Sequence, residues 1–201
     1  MNHSSSRGFT LIELLVVVAL IMVMYVMAYG PASKAYQEKQ LIACQTNLQM
    51  IQIALKIYAA DYHDSYPVVT GATTAEVPLS LLVPRCTAET AIFLCPGSAA
   101  RRLPEAQPFT DRKISYAYYM GRTTHDGADA MLLSDQQLNT QPRHGGDPMF
   151  SINGKRPADN HRQFGGNILF CDGHAEELPA IAPRDLLYSN PVVLLNPRFR
   201  L

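Results

Sequence analysis

The chain has 201 residues, which is the length of one modest globular domain that carries an anchor or an extension. Its 47% apolar content is ordinary for a folded protein and argues against disorder of the whole chain. Lysines plus arginines and aspartates plus glutamates number 17 each, so the formal net charge is zero, and no basic tract stands out. These features argue against nucleic acid as a partner.

An apolar segment at residues 9–29 follows a short polar N-terminus, and it is about as long as a helix that crosses a bilayer. Arg7 and the amino terminus carry the only charges ahead of this segment, which predicts a cytoplasmic N-terminus. The segment ends in large residues rather than the small ones that precede a signal-peptidase site. We therefore expect the segment to be retained as a single-pass anchor.

A second apolar pattern follows the first and has the spacing of one helix face. Its members recur at intervals of three and four residues: Leu41, Cys44, Leu48, Ile51, Leu55, Tyr58 and Tyr62. The two patterns together predict one long helix from about Phe9 to Tyr62. A bend is expected near Gly30-Pro31, because proline removes a backbone hydrogen bond.

The remainder of the chain predicts a small antiparallel sheet, so the fold class is α+β. Apolar residues alternate within residues 113–120, as in a strand with one buried face. Further strands are predicted at residues 130–133, 167–171 and 174–178. Asp172-Gly173 is a two-residue turn signal of type I′ between the last two strands. Residues 77–83 predict a short helix, and the proline-rich C-terminal segment is expected to be irregular.

The four cysteines are Cys44, Cys86, Cys95 and Cys171. They form no Cys-x-x-Cys pair, which weakens zinc and thioredoxin-like interpretations. An even number behind a membrane anchor is compatible with disulfides in an oxidising compartment. The preferred pair is Cys86 with Cys95, which are close in sequence and flanked by prolines. The alternative is that all four are small buried apolar residues.

Residues 8–17 read Gly-Phe-Thr-Leu-Ile-Glu-Leu-Leu-Val-Val and closely resemble the processing site of type IV prepilins and type II secretion pseudopilins. The resemblance implies that a prepilin peptidase cuts after Gly8 and methylates the new N-terminus at Phe9. It also implies that Glu13 pairs with the amine of a neighbouring subunit and sets the register of assembly. The alternative is an uncleaved signal anchor in which Glu13 lies at the membrane interface.

The charge of Glu13 agrees with this resemblance, because a carboxylate in a lipid-facing helix usually has a partner. No lysine, arginine or histidine lies between Phe9 and Gly30, whereas cleavage after Gly8 would create an amine four residues away. The resemblance implies three segments. They are a leader at residues 1–8, a transmembrane and assembly helix at 9–30, and a periplasmic pilin-like domain at 31–201, whose helix covers residues 31–62.

The rest of the chain resembles prepilin-like proteins common in planctomycete-type bacteria. The matching elements are Cys44 to Asp61 with Tyr66-Pro67, the sequence Phe93-Leu94-Cys95-Pro96, and the run from Gly165 to His174. In those relatives the Asp-Gly-His element ends the pilin-like domain. The resemblance suggests a major-pseudopilin-like domain, members of which often bind calcium in a C-terminal loop, although no calcium ligands are assigned here.

His161, Asp172 and His174 are weak candidates for a metal site, which Asp135, Asp147 and Asp159 could join. Their spacing matches no tight ligand motif, so structural roles are favoured. The chain also lacks a Gly-x-Ser-x-Gly elbow and a phosphate-binding loop.

The leading hypothesis is therefore a structural subunit of a secretion pseudopilus or pilus-like filament, not an enzyme, with no required cofactor. The expected partners are prepilin peptidase, other pilin or pseudopilin subunits in a homo- or hetero-polymer, and the inner membrane. The alternative is a membrane-tethered periplasmic enzyme or ligand-binding protein that uses a prepilin-type anchor.

Overall fold

The structure is a computed structural model that describes residues 10–98, 102–141, 144–183 and 192–198, apart from the side chains of residues 28–34. The chain divides into two compact units, Met1–Glu38 and Lys39–Leu201.

The first element is a helix of 51 residues, α1, at Leu11–Asp61, which confirms the predicted long helix. The bend expected near Gly30-Pro31 stays a prediction. Within the second unit, the predicted apolar face of α1 is buried from Leu41 to Leu55, while Tyr58 is half-buried and Tyr62 is exposed. The helix ends where His63 and Asp64 adopt positive φ and the Asp64 N–H donates to the Ala59 carbonyl. This is a left-handed helix end of the usual kind.

The second unit contains a five-stranded antiparallel sheet, which together with α1 confirms the α+β class. Its strands are β1 at Tyr116–Met120, β2 at Met131–Asp135, β3 at Gly166–Phe170, β4 at Ala175–Leu178 and β5 at Val193–Leu195. They lie in the order β4-β3-β2-β1-β5. A short helix, α2, at Glu76–Leu79 continues as a 3-10 turn at Ser80–Leu82, as the sequence predicts.

The central strands are buried on both faces, which corrects the prediction of a half-buried strand at residues 113–120. Tyr116 and Tyr118 pack with the buried face of α1 in the larger core cluster. Tyr119 lies on the opposite face, in a second cluster with Phe150 and Ile168. The loop after β2 covers this second face, so every residue of β1, β2 and β3 is buried.

Two local predictions are wrong. The C-terminal segment is not wholly irregular, because β5 pairs with β1 in antiparallel register. The hairpin between β3 and β4 has a three-residue loop, in which the Gly173 N–H donates to the Phe170 carbonyl and the Phe170 N–H donates to the His174 carbonyl. Gly173 has a φ of 110°, whereas Asp172 does not have the positive φ that a type I′ turn requires.

Candidate functional site

The start of α1 is closed by a reciprocal capping box between Thr10 and Glu13. The Thr10 N–H and hydroxyl both donate to Glu13 Oε2, at 2.9 and 2.7 Å, and the Glu13 N–H donates to Thr10 Oγ1 at 3.3 Å. Glu13 therefore has a local hydrogen-bonding role at the helix N-terminus. Gly8 and Phe9 lie outside the described residues, so cleavage, methylation and the pairing of Glu13 with an amine stay predictions.

The N-terminal part of α1 exposes large apolar side chains around its whole circumference. They are Leu11, Ile12, Leu14, Leu15, Val16, Val17, Val18, Leu20, Ile21, Met22, Val23, Met24, Tyr25, Val26 and Met27. When length and hydropathy are considered together, none of the helices in the described part of the chain qualifies as a membrane span.

Cys95 forms a disulfide with Cys44 of α1, which corrects the predicted Cys86–Cys95 pair. A 3-10 turn at Ala91–Phe93 precedes Cys95, whose Cα lies 5.4 Å from that of Cys44. Cys86 and Cys171 are free.

Cys86 lies nearer the C-terminal end of α1 than the disulfide does. The Cys86 thiol interacts with Tyr58 and Asp61, near the C-terminal end of the helix. Tyr58 follows Cys44 by fourteen residues, which is about 20 Å along a helix axis. Burial raises the pKa of Cys86, as expected for a thiol packed against the core.

A buried pair of ionisable groups lies beside this disulfide. His161 Nε2 is 3.2 Å from Asp135 Oδ2 and 3.4 Å from Cys95 Sγ, and His161 and Asp135 are both inaccessible to solvent. Asp135 ends β2, so the sheet positions its carboxylate, while His161 lies in the loop that leads into β3. The pair is therefore part of the interior and not of an open cleft.

The Asp135 carboxylate is held by several hydrogen bonds besides the one to His161. Its oxygens accept from the Asn160 amide at 2.8 Å and from the Asn167 backbone N–H at 2.8 Å. Burial acts to raise the pKa of Asp135, but His161 and these donors outweigh it and lower the pKa below its ordinary value. The carboxylate is thus stabilised in its charged form.

Of the weak metal candidates, the structure places Asp135 beside His161 and leaves Asp172, His174, Asp147 and Asp159 in contacts elsewhere. His174 Nδ1 lies 2.6 Å from Asp172 Oδ1, and its ring stacks on Phe170 with centroids 4.2 Å apart. This pair is on the exposed hairpin loop. Asp147 accepts a hydrogen bond from the His144 N–H, and Asp159 lies beside Arg156. Apart from the pair of Asp135 and His161, the proposed set therefore separates into unrelated local contacts.

To Asp135 and His161 the structure adds two residues that the sequence did not connect with a metal site, Cys44 and Cys95. Cys44 belongs to the apolar face of α1, which indicated that it faces inward. No local spacing links it to an aspartate at a strand end or to a histidine in a loop. Only the tertiary structure joins residues so far apart in the chain.

Comparison with known proteins finds one family model that matches part of the chain. Residues 3–29 match the prokaryotic N-terminal methylation motif. The match confirms the resemblance to type IV prepilins and pseudopilins, and it indicates a membrane-anchored, pilin-like protein that is a substrate of prepilin peptidase. No curated protein and no solved structure matches the chain.

Proposed function

We propose that this protein is a structural subunit of a type II secretion pseudopilus or of a type IV pilus-like filament. The observation that carries the proposal is the match of residues 3–29 to the N-terminal methylation motif. Prepilin peptidase cuts after Gly8 and methylates Phe9, and the mature subunit then enters a homo- or hetero-polymer. Glu13 sets the register of subunits by pairing with the amine of a neighbour.

In this proposal the chain crosses the inner membrane once before assembly. The N-terminus, with Arg7, stays in the cytoplasm, and residues 31–201 lie in the periplasm. The exposed apolar side chains of residues 11–27 support this arrangement, because such a surface is stable in lipid or against other helices but costly in water.

A second exposed apolar stripe on α1 supports packing between subunits. Ile42, Met50, Ile53 and Ile57 lie at intervals typical of one helix face, and each is at least 46% exposed. This stripe is distinct from the buried face of α1 that contacts the sheet. Association of helices through such a stripe buries apolar area, which is the main favourable term in most assemblies.

We propose no catalytic role for the domain and no required cofactor. The cluster of Cys44, Cys95, Asp135 and His161 is 0–3% exposed, so a substrate has no access to it. The expected partners are prepilin peptidase and other subunits, with no contact to nucleic acid.

The proposal is tested by the intact mass and N-terminal peptide map of the protein extracted from bacterial membranes. A mature chain that begins at N-methyl-Phe9 is expected. Replacing Gly8 with Leu should block cleavage, because the side chain would occupy the position at which the peptidase takes a glycine. Ser6→Leu, two residues upstream, is the matched control and should be processed normally.

A wild-type chain that retains Met1 in its native membrane would contradict the proposal. The protein would then be a plain signal-anchored protein, and the hypothesis of a tethered enzyme or binding protein would take first place.

A further inference from the structure

Four side chains of different chemistry converge inside the second unit: Cys44, Cys95, Asp135 and His161. Each offers one ligand atom, all four atoms lie within 4.8 Å of one another, and all four residues are buried. No other group of three or more such side chains with this geometry occurs in the described residues. We infer that, when the disulfide between Cys44 and Cys95 is reduced, these residues form a closed binding site for one zinc ion.

The donor set agrees with zinc chemistry. Zinc in structural sites is bound by four ligands in a tetrahedron, drawn from cysteine thiolates, histidine nitrogens and carboxylate oxygens. Two thiolates with an imidazole favour zinc over calcium or magnesium, which take oxygen ligands. The set therefore selects zinc over calcium.

Two edges of the tetrahedron already have suitable lengths. In a tetrahedral zinc site, the Zn–N and Zn–O distances are near 2.1 Å and the Zn–S distance is near 2.3 Å. These bond lengths place the nitrogen about 3.4 Å from the oxygen and about 3.6 Å from a sulfur. The corresponding distances are 3.2 Å between His161 and Asp135 and 3.4 Å between His161 and Cys95. The two sulfurs must separate to about 3.8 Å once their bond is broken. The three remaining edges are each within 4.8 Å and must settle near about 3.6 Å.

The surroundings hold the ligands in place. The Gly97 N–H donates to Cys95 Sγ at 3.3 Å, a contact that stabilises a thiolate. A Cβ atom on Gly97 would lie 2.2 Å from the Asn160 carbonyl, so the cysteine turn and the histidine loop are in close contact. Asn160 in turn orients Asp135. Such outer contacts are typical supports of metal ligands.

The His161 ring is oriented so that Nε2 can serve as a metal ligand. It is completely buried, and its Nδ1 has no hydrogen-bond partner among the described residues. The imidazole is thus held through Nε2, the atom that faces Cys95 and Asp135. A metal ion at Nε2 would add a strong bond to a buried side chain that otherwise makes few polar contacts.

The oxidised and zinc-bound states exclude each other. A dithiol or phosphine reductant supplies two electrons, and with two protons the disulfide becomes two thiols. Zinc then displaces both protons and binds the two thiolates. Because zinc binding and the disulfide occupy the same sulfurs, the redox state of the compartment decides which of them connects α1 to the Cys95 segment. This inference does not depend on the proposed filament.

The test uses full-length protein in detergent and Co²⁺ as the spectroscopic probe. Phosphine-reduced, oxygen-free protein should bind equimolar Co²⁺, with visible bands of tetrahedral cobalt and a thiolate charge-transfer band, and equimolar Zn²⁺ should displace it. Disulfide-bonded protein should give neither band. Reduced, folded protein without these bands would overturn the inference.

Variants identify the ligands. Cys44→Ser and His161→Gln should each weaken Co²⁺ binding more than about tenfold, since loss of even an outer contact costs about 10–100-fold. Cys86→Ser is the matched control and should leave binding unchanged. Unchanged binding in Cys44→Ser, or its loss in Cys86→Ser, would overturn the assignment.

Two measurements on the unsubstituted protein do not depend on the folding of any variant. X-ray absorption of the reduced zinc form should show two sulfur and two nitrogen or oxygen neighbours, and a shell without sulfur, or with sulfur alone, would contradict the site. If reduction without metal unfolds the domain, as followed by circular dichroism, zinc should restore it. Failure to restore it would also overturn the inference.

Discussion

Several buried or half-buried side chains each organise a whole loop. Asp126 is an example between β1 and β2. One of its oxygens accepts from the Thr123 N–H at 2.6 Å and from the Thr123 hydroxyl at 3.0 Å, while the other contacts Arg122 at 3.1 Å. The Arg122 guanidinium also donates to the Met131 carbonyl at the start of β2. One carboxylate thus connects a turn to a strand.

The ionisation of Asp126 should therefore contribute to stability. Burial acts to raise its pKa, but the Thr123 and Arg122 contacts outweigh this and lower it below the ordinary value. A lowered folded-state pKa stabilises the fold above the unfolded value of about 3.9, and this contribution is lost as pH falls through the folded value. Asp126→Asn should lower the free energy of unfolding by about 1–2 kcal/mol at pH 7.

The measurement is urea unfolding of both proteins between pH 7 and pH 3. The difference between Asp126→Asn and wild type should shrink as pH falls below about 4. Asp129→Asn, three residues later and exposed, is the control and should change little. A difference that stays constant with pH would show that the charge of Asp126 is not what stabilises the turn.

At the scale of elements, α1 is connected to the β3–β4 hairpin by side-chain amides as well as by apolar packing. Gln52 Nε2 donates to the Cys171 carbonyl at 3.0 Å, and Gln45 Nε2 donates to the Ala175 carbonyl at 2.7 Å. These two glutamines are seven residues apart and so lie on nearly the same helix face. They satisfy two backbone carbonyls of the hairpin.

Position 173 requires a glycine because Gln52 approaches it closely and because its backbone has a positive φ. Its φ is 110°, and a Cβ atom there would lie 2.9 Å from Gln52 Oε1. Gly71 is a matched position, with a φ of 80° and nothing within 4 Å of a Cβ atom. Gly71→Ala should cost about 1 kcal/mol from backbone strain alone, and Gly173→Ala should cost more because the glutamine must also move.

Thermal or urea unfolding of the two alanine variants measures this difference. Equal losses of stability would show that the hairpin does not need the close approach of α1 and that the contact with Gln52 is easily displaced.

At the scale of the whole second unit, the sheet lies between two apolar clusters. The larger contains the buried face of α1, and the smaller contains Phe150 from the long loop after β2. This loop is rich in glycine, proline and polar residues, yet it covers the second face of the sheet. Long loops of this kind are stable only when their own side chains pack.

Phe150→Ala should therefore destabilise the protein strongly. The Phe150 side chain is fully buried, so its truncation should cost about 3–5 kcal/mol. Phe164→Ala removes the same side chain from a position that is 39% exposed and should cost much less. Urea midpoints of the two variants provide the comparison, and similar losses would show that the second cluster contributes little to the fold.

Local sequence patterns were sufficient to predict the helix and most of the strands of the sheet. The 3,4 spacing from Leu41 to Leu55 reflects the helical repeat, and four of the five strands fall where their apolar residues predict them. The methylation motif was equally recognisable, because its residues are contiguous. These features depend on neighbours in the sequence, and so the sequence determines them by itself.

The tertiary structure decided the features that depend on distant residues. Cys95 pairs with Cys44 and not with the nearer Cys86, because the path of the chain beside α1 sets which sulfurs meet. The tertiary structure likewise places Asp135 beside His161, pairs β5 with β1 and buries the second face of the sheet. Such contacts join segments that carry no shared local pattern, so only the folded chain brings their atoms within bonding distance.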